Sequence, residues 1–311
     1  MVLTENVKKA LFLLGAIACL TPFIDPPLGL LLGLLLSQTI GHPFIQHNKK
    51  ATKILLQVCV VGLGFGMNLF EAAKAGKEGF IFTVASISIT MLAGLFFGRM
   101  FKIGDKITYL IAAGTAICGG SAIAAVSPLI DAKEEEISVS LGTVFILNSI
   151  ALLLFPFIGH YFAMSNAQFG LWSAIAIHDT SSVVGAAQKY GEEALKIATT
   201  VKLERALWII PLSLVTALVF RKNSSKVNIP WFIFLFVAAM ALNTFLPAMQ
   251  PLSHLIVLAS KKGLTLTLFL IGAGLTRKTM QAVGFKPFLL GILLWIIISV
   301  GSLTVILSRL L

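Results

Sequence analysis

The chain has 311 residues, of which 57% are hydrophobic and only 12% are charged, and its mean hydropathy is +0.95. Soluble domains carry about 25% charged residues, so this composition excludes a soluble globular protein. The net charge of +11 does not indicate nucleic-acid binding, because Lys and Arg lie in short connections between apolar segments. We predict an all-α polytopic membrane protein, with the lipid bilayer as its surroundings and one transmembrane domain over residues 1–311.

Eleven apolar segments follow in chain order and predict about eleven transmembrane helices, with interruptions in some of them. They cover residues 10–24, 27–41, 52–69, 79–99, 106–130, 137–162, 168–190, 194–220, 230–247, 261–276 and 286–310. The stretch 248–260 is predicted to be an interfacial helix. The first two segments are short for full crossings and are joined by a tight "DPP" turn, so they form either two crossings or one helical hairpin.

The distribution of basic residues predicts a cytoplasmic amino terminus. In that orientation the inside connections carry 14 Lys and Arg residues and the outside connections carry 6. The inside residues are Lys8, Lys9, Lys49, Lys50, Lys53, Arg99, Lys102, Lys106, Arg221, Lys222, Lys226, Arg277, Lys278 and Lys286. The outside residues are Lys74, Lys77, Lys133, Lys189, Lys196 and Arg309.

Two apolar segments are interrupted by small and polar residues in matching places. Residues 116–125 read "AICGGSAIAA", and residues 176–185 read "AIHDTSSVVG". An unpaired backbone group in hydrocarbon costs several kcal/mol, so such breaks persist only where they are buried in protein or line a wet cavity. We predict helix breaks near Gly119 and Asp179, with the following half-helix N-termini attracting an anionic solute. Close packing of small residues is the alternative explanation.

The residues around these breaks make up the predicted solute site. Ser121 and the backbone of Gly119 and Gly120 are expected to line one cavity with the "HDTSS" residues, in which His178 offers a titratable switch. The full predicted set is Cys118, Gly119, Gly120, Ser121, His178, Asp179, Thr180, Ser181, Ser182, Lys202, Arg205, Gly272 and Gly274. We expect no metal ligand, no catalytic residue and no cofactor.

Several members of this set have a second interpretation. Lys202 and Arg205 either reach the cavity as countercharges for an anion or for Asp179, or extend to the membrane surface. Gly272 and Gly274 serve either the site or close helix packing. Cys118 is interpreted as a small buried residue rather than a nucleophile.

Internal likenesses predict repeats. Residues 64–76 match residues 272–284, with glycines at corresponding positions, and in the predicted topology the two copies run in opposite directions. Inverted repeats are typical of transporters. Approximate repeat units are 27–162 and 168–311, and one scheme pairs the broken segment 106–130 with segment 261–276. The offsets of 60 and 208 residues do not fit a single duplication, and the pair of breaks would run parallel.

An intramembrane enzyme and a non-transporting scaffold are the alternative functions. Ser121, Ser181, His178 and Asp179 are residue types found in hydrolases. However, adjacent His178 and Asp179 point about 100° apart on a helix, and no GxSxG or HExxH motif is present. The pattern therefore favours ion-coupled secondary transport of a small inorganic or organic anion.

At these motifs the sequence resembles the YeiH-type family of bacterial inner-membrane proteins, whose members are labelled sulfate exporters. The resemblance rests on "AICGGSAIAA", "AIHDTSSVVGAA", "VKLERALWIIP" (201–211) and "GAGLTRKTMQAVGFKPFLLG" (272–291) and extends from about residue 25 to the end. It implies a multi-pass transporter in the bacterial plasma membrane with broken helices. Association into a homodimer is left open.

Overall fold

The computed structural model describes residues 4–220, 231–275 and 284–309, without the side chains at 49, 71–81, 134, 231, 247 and 309. All regular elements in this part of the chain are helical. Its α-helices are α1 (Glu5–Ala18), α2 (Pro26–Thr39), α3 (Ile45–Gly64), α4 (Leu69–Met100), α5 (Asp105–Ala116), α6 (Gly120–Val126), α7 (Glu134–Tyr161), α8 (Asn166–Ala176), α9 (Thr180–Tyr190), α10 (Glu192–Leu207), α11 (Ile209–Val219), α12 (Trp231–Phe245), α13 (Gln250–Gly274) and α14 (Phe285–Arg309). Short 3-10 turns occupy Ser127–Leu129 and Pro247–Met249.

Four helical stretches of the described chain are long and apolar enough to cross a membrane. They are Phe82–Met100, Glu135–Tyr161, Gln250–Gly274 and Phe285–Ser308. Shorter apolar helices accompany them, among them Pro26–Thr39 and Phe232–Phe245. The all-α membrane class is thus confirmed. The predicted count of eleven crossings is not reproduced, because two of the predicted segments reverse their direction.

The first reversal, which we call hairpin 1 (residues 105–130), joins α5 to α6. Lys106 Nζ donates a hydrogen bond to the Asp131 carbonyl at 2.6 Å. In one straight helix, residues this far apart would be separated by about 37 Å. Between the two arms, Leu110, Ala113 and Ile123 pack in one apolar cluster. The segment therefore enters the molecule, turns at residues 117–119 and returns to the same end.

The second reversal, hairpin 2 (residues 166–190), joins α8 to α9. Tyr190 donates through its hydroxyl to the Met164 carbonyl at 2.5 Å, and its ring stacks on Phe169 with centroids 3.8 Å apart. A capping box begins α8, since the Ser165 hydroxyl accepts from the Gln168 amide and the Gln168 side chain accepts from the Ser165 amide. The carboxyl end of α9 therefore lies beside the amino end of α8.

The two hairpins have their bases at opposite ends of α7. This helix has 28 residues, so it is about 42 Å long and exceeds the hydrocarbon thickness of about 30 Å. It begins beside the base of hairpin 1 and ends beside the base of hairpin 2. Each arm of α5 and α8 measures only about 18 Å, which brings both tips close to the middle of α7.

This geometry corrects the predicted placement of two connections, those at Lys133 and near Gly159. The sequence prediction put Lys106 and Lys133 on opposite faces, whereas the bond from Lys106 to Asp131 places their connections at one end of the molecule. Likewise, Lys189 was expected opposite the connection near Gly159, yet both lie at the base of hairpin 2. The breaks were found correctly, but they are turning points rather than kinks in continuous helices.

The helices pack in two groups. The first group, which we call the hairpin group, consists of the two hairpins and the helices packed around them, namely α4, α7, α10, α11 and α14. The second group, which we call the outer layer, consists of α1, α2, α3, α12 and α13, with α13 packed against α2 and α3. A Cβ on Gly33 or Gly272 would collide with backbone atoms across the α2–α13 contact, so these glycines allow the two helices to approach closely.

One further expectation about α13 is wrong. Residues 248–260 do not form a separate interfacial helix, because α13 begins at Gln250 with Pro251 in its first turn and continues to Gly274. The "GAG" stretch at 272–274 forms the carboxyl end of this helix, and the match between segment 106–130 and segment 261–276 stays a prediction. Arg221, Lys222, Lys226, Arg277 and Lys278, with the second glycine-rich copy over 276–283, lie outside the described residues.

Candidate functional site

The tip of hairpin 1 is a three-residue turn formed by Ile117, Cys118 and Gly119. Gly119 has φ +63° and ψ −122°, a combination that residues with a side chain rarely adopt. Its amide donates back to the Gly114 carbonyl at 2.8 Å, which closes the turn. Cys118 is buried and free, in agreement with its interpretation as a small buried residue.

The tip of hairpin 2 is stabilised by its own aspartate. Asp179 Oδ1 accepts from the Ser182 amide at 2.9 Å, and Oδ2 accepts from the Ser181 hydroxyl at 2.7 Å. This N-cap places a carboxylate at the start of α9, where the sequence analysis expected a solute anion. Thr180, the first residue of α9, is half-buried.

The two tips touch each other. A Cβ built on Gly119 would lie 3.2 Å from the Asp179 Cβ and 3.2 Å from the Val144 side chain. The structure therefore brings Gly119 and Asp179 together across sixty residues of sequence, although each break follows from its own local residues.

Lys202 joins the tips through backbone carbonyls. The side chain is fully buried on α10, and Nζ donates to the carbonyls of Ile177 at 2.7 Å, Ile117 at 3.1 Å and Ala174 at 3.2 Å. One acceptor belongs to hairpin 1 and two to hairpin 2. All three carbonyls lie at the carboxyl ends of α5 and α8, where helix carbonyls lack an intrahelical partner. The ammonium therefore neutralises the negative ends of two half-helices.

Arg205 makes a parallel contact one turn further along α10. It is fully buried, and it donates to the Ala116 carbonyl at 2.5 Å and to the Ser86 hydroxyl of α4 at 2.7 Å. No ion pair joins Lys202 or Arg205 to Asp179 in the part of the chain that the structure describes. Lys202 and Asp179 nevertheless interact electrostatically, so a role for Lys202 or Arg205 as a countercharge for an anion or for Asp179 stays a prediction. The alternative, that these side chains extend to the membrane surface, is wrong because both are fully buried.

His178 and Asn148 leave polar atoms free in this buried region. The His178 amide donates to Asn148 Oδ1 at 3.0 Å, which fixes hairpin 2 against α7. His178 is fully buried, and neither of its ring nitrogens has a hydrogen-bond partner among the described residues, nor does Asn148 Nδ2. Buried polar groups are normally satisfied by protein, water or ligand, so these atoms mark a place where a small polar species can bind.

The two halves of hairpin 1 differ in accessibility. Ser121 is exposed and Gly120 is half-buried, whereas residues 111–119 are all buried. A Cβ on Gly120 would lie 3.1 Å from the Phe145 ring. Ser121 is thus the one described residue of the predicted site that is exposed.

Gly272 and Gly274 do not belong to this cluster. Gly272 packs against the Leu30 carbonyl of α2, and Gly274 lies near the Asn48 side chain of α3. Ser86 and Asn148 are additional polar contacts that the site prediction did not include. A lone Asn in the apolar α7 was the available signal for Asn148, whereas nothing in sequence links Ser86 to Arg205.

Comparison with known proteins identifies the family. The model of a family described as Conserved hypothetical protein 698 matches residues 6–291. The chain belongs to the UPF0324 family of membrane proteins. A UPF0324 membrane protein of Bacteroides thetaiotaomicron is 54% identical over 286 residues, covering 91% of this chain and 87% of the relative.

Further relatives match over almost their whole length. One from Bdellovibrio bacteriovorus is 47% identical over 308 residues, covering 97% of this chain and 95% of the relative. One from Shewanella oneidensis is 49% identical over 303 residues, covering 97% and 96%. The resemblance inferred from the four motifs is confirmed at the level of the family. No solved structure matches this chain.

Proposed function

We propose that this UPF0324 protein is a secondary transporter of a small solute, namely an inorganic or small organic anion. The observation that carries the proposal is the meeting of two oppositely based hairpins, tip to tip, at Gly119 and Asp179. Irregular backbone at bilayer depth is tolerated where it is buried in protein or lines a cavity, and transporters bind solutes at such interrupted helices.

The topology that accompanies this function has nine crossings and two re-entrant hairpins. The crossings are α1, α2, α3, α4, α7, the α10–α11 rod, α12, α13 and α14. Removing two crossings from the predicted eleven leaves the termini on the same faces as before. The amino terminus is therefore cytoplasmic, and the basic residues Arg99, Lys102 and Lys106 lie at the cytoplasmic end of hairpin 1.

Charge at the tips favours an anion. Lys202 and Arg205 are two fully buried cations. Asp179 beside them is a carboxylate that is more than nine-tenths buried. Buried ionisable groups at membrane depth are functional by default. The exposed Ser121 hydroxyl and the amide groups that begin α6 supply donors for an oxyanion, and the His178 ring, whose nitrogens have no partner among the described residues, supplies a further polar contact.

Flux measurements in proteoliposomes test the function. We expect labelled sulfate, or another small anion in a panel with phosphate, sulfite and acetate, to cross the bilayer when a proton or sodium gradient is imposed and to stop when the gradient is collapsed. Ser121→Ala should lower the rate, while Ser308→Ala, an exposed serine at the far end of α14, should not. Absence of flux for the whole panel, in both directions and with both gradients, would favour a scaffold or an enzyme instead.

A further inference from the structure

A cavity of about 380 Å³ lies between α10 and the outer layer. Its polar lining includes Glu192, Lys196 and Thr199 on α10, Asn243 on α12, and Gln250, Ser253, His254 and Lys261 on α13. The α10 residues recur every three or four positions, and His254 and Lys261 lie two turns apart on α13, so each helix presents one polar face to the cavity. Ligand sites are commonly found in cavities of this size between packed groups of helices.

The cavity has an excess of basic groups. Lys261 Nζ bonds to Glu192 Oε1 at 2.5 Å, which connects α13 to α10. Lys196 and His254 also act electrostatically on the Glu192 carboxyl, yet within the described residues neither side chain makes a hydrogen bond or an ion pair. Three basic side chains therefore surround one carboxylate.

A buried hydroxyl adds a neutral donor to this basic lining. Ser253 is 4% exposed, and its Oγ has no hydrogen-bond partner among the described residues. A serine hydroxyl in a helix usually donates to a carbonyl of the preceding turn or binds a ligand or water. Here it lines the same cavity as Lys196 and His254.

We propose that this cavity binds a small oxyanion between Lys196, His254 and Lys261, with the Ser253 hydroxyl as a further donor. The bound anion takes the position of the Glu192 carboxylate at Lys261 and so releases the bond between α10 and α13. Thr199 in the lining lies one helical turn before Lys202, so α10 connects the cavity to the lysine that binds both hairpin tips. The proposal that the cavity binds an anion is argued from the residues that line it. The further role of the cavity as an access site rests on the proposed function.

Equilibrium binding of radiolabelled sulfate and inorganic phosphate to the purified full-length protein, at low ionic strength, tests the site. Lys196→Gln should weaken binding about tenfold, the usual value of one charge-assisted contact. Glu192→Gln should strengthen binding severalfold, because it removes the internal competitor. Lys189→Gln is the matched control, since it makes the same charge change at the same end of the molecule outside this lining, where Lys189 pairs with Asp25.

The expected changes in affinity are opposite, weaker for Lys196→Gln and stronger for Glu192→Gln, and this distinguishes the site from a nonspecific basic surface. The proposal is overturned if neither anion binds the parent protein, or if Lys196→Gln and Glu192→Gln both bind like the Lys189→Gln control. Competition by phosphatidylglycerol in nanodiscs would identify the oxyanion as a lipid headgroup, and unchanged binding would identify a free anion. Anion binding without flux would support this site and contradict the proposed transport function. Flux without anion binding at this cavity would support transport and contradict this site.

Discussion

At the scale of single residues, the central feature is a lysine that takes the place of a bound cation. Lys202 uses all three of its N–H donors on carbonyls from two hairpins, so its charge is satisfied by the ends of helices rather than by a carboxylate. The sequence identified Lys202 and Arg205 as candidates for the site, but it did not identify the carbonyl groups that they bind. The partner of Lys202 at Ile117 lies 85 residues away, and no local pattern indicates it.

Removing the Lys202 ammonium should destabilise the contact between the tips. Each buried carbonyl left unpaired costs about 1–3 kcal/mol, so we expect Lys202→Met to lower the apparent melting temperature of the purified protein by about 5–10 °C. Lys196→Met changes an exposed lysine on the same helix; it is the control and should have little effect.

The three carbonyls that bind Lys202 further predict a rescue experiment. Ammonium ions should partly restore the stability of Lys202→Ala, and choline, which is too large, should not. Equal melting temperatures for Lys202→Met and Lys196→Met would contradict this assignment.

The backbone of Gly119 supplies a second prediction at this scale. Gly119→Ala should destabilise the protein by about 1–3 kcal/mol, because its φ of +63° is strained for alanine and the new Cβ meets Asp179 and Val144. Gly301→Ala on α14 is the control, since a Cβ there meets nothing within 4 Å and alanine favours the helix. Thermal unfolding followed by size-exclusion chromatography measures both. A Gly119→Ala protein as stable as its parent would show that the tip conformation is not required.

At the scale of elements, the two sequence offsets fall on different pairs of elements. The offset of 60 residues relates hairpin 1 to hairpin 2, which have their bases at opposite ends of α7. The offset of 208 residues relates the α3–α4 junction to the end of α13, and α3 and α13 pack antiparallel, with Gly62 beside Ser260 and Cys59 beside Gly263. The repeat units 27–162 and 168–311 stay a prediction.

Labelling from one side of the membrane tests the reversal of the hairpins. We expect cysteines at Lys102 and Lys133 to react with a membrane-impermeant maleimide from the same face, and cysteines at Ala167 and Lys189 to react from the other. All four positions are exposed, and native Cys19, Cys59 and Cys118 are buried, which lowers the background. A continuous broken helix would instead separate Lys102 from Lys133. The first pair is expected to be cytoplasmic, and periplasmic labelling of that pair would reverse the proposed orientation.

At the scale of the whole molecule, the hairpin group and the outer layer are joined by a few polar bridges over a largely apolar contact. Lys261 pairs with Glu192, Lys189 pairs with Asp25, and Lys262 donates to the Thr21 carbonyl. These contacts all lie around the base of hairpin 2. Relative movement of the two groups is therefore expected to make and break charged contacts at this end of the molecule.

A cross-link between the groups tests such movement. A short thiol-cleavable link between Asp25→Cys and Lys189→Cys should stop anion flux, and reduction should restore it, because transport requires hairpin 2 to move relative to α2. The control pair Lys106→Cys and Ala132→Cys lies within the base of hairpin 1 and should transport whether linked or not. Flux at the parental rate through the protein linked between residues 25 and 189 would show that the two groups move as one body.

The sequence by itself determined the membrane environment, the helical class, the positions of both breaks and the family, because hydropathy, glycine content and helix-capping residues act over a few neighbouring positions. The local residues at 117–119 and 177–179 required an interruption there. Only the tertiary structure decided that the chain turns back at each break, since a continuing helix and a reversing one satisfy the same local preferences and differ in what the arms pack against. The partners of Lys202 and Arg205, the contact between Gly119 and Asp179 and the cavity at Glu192 depend on elements distant in sequence, and packing alone brings those elements together.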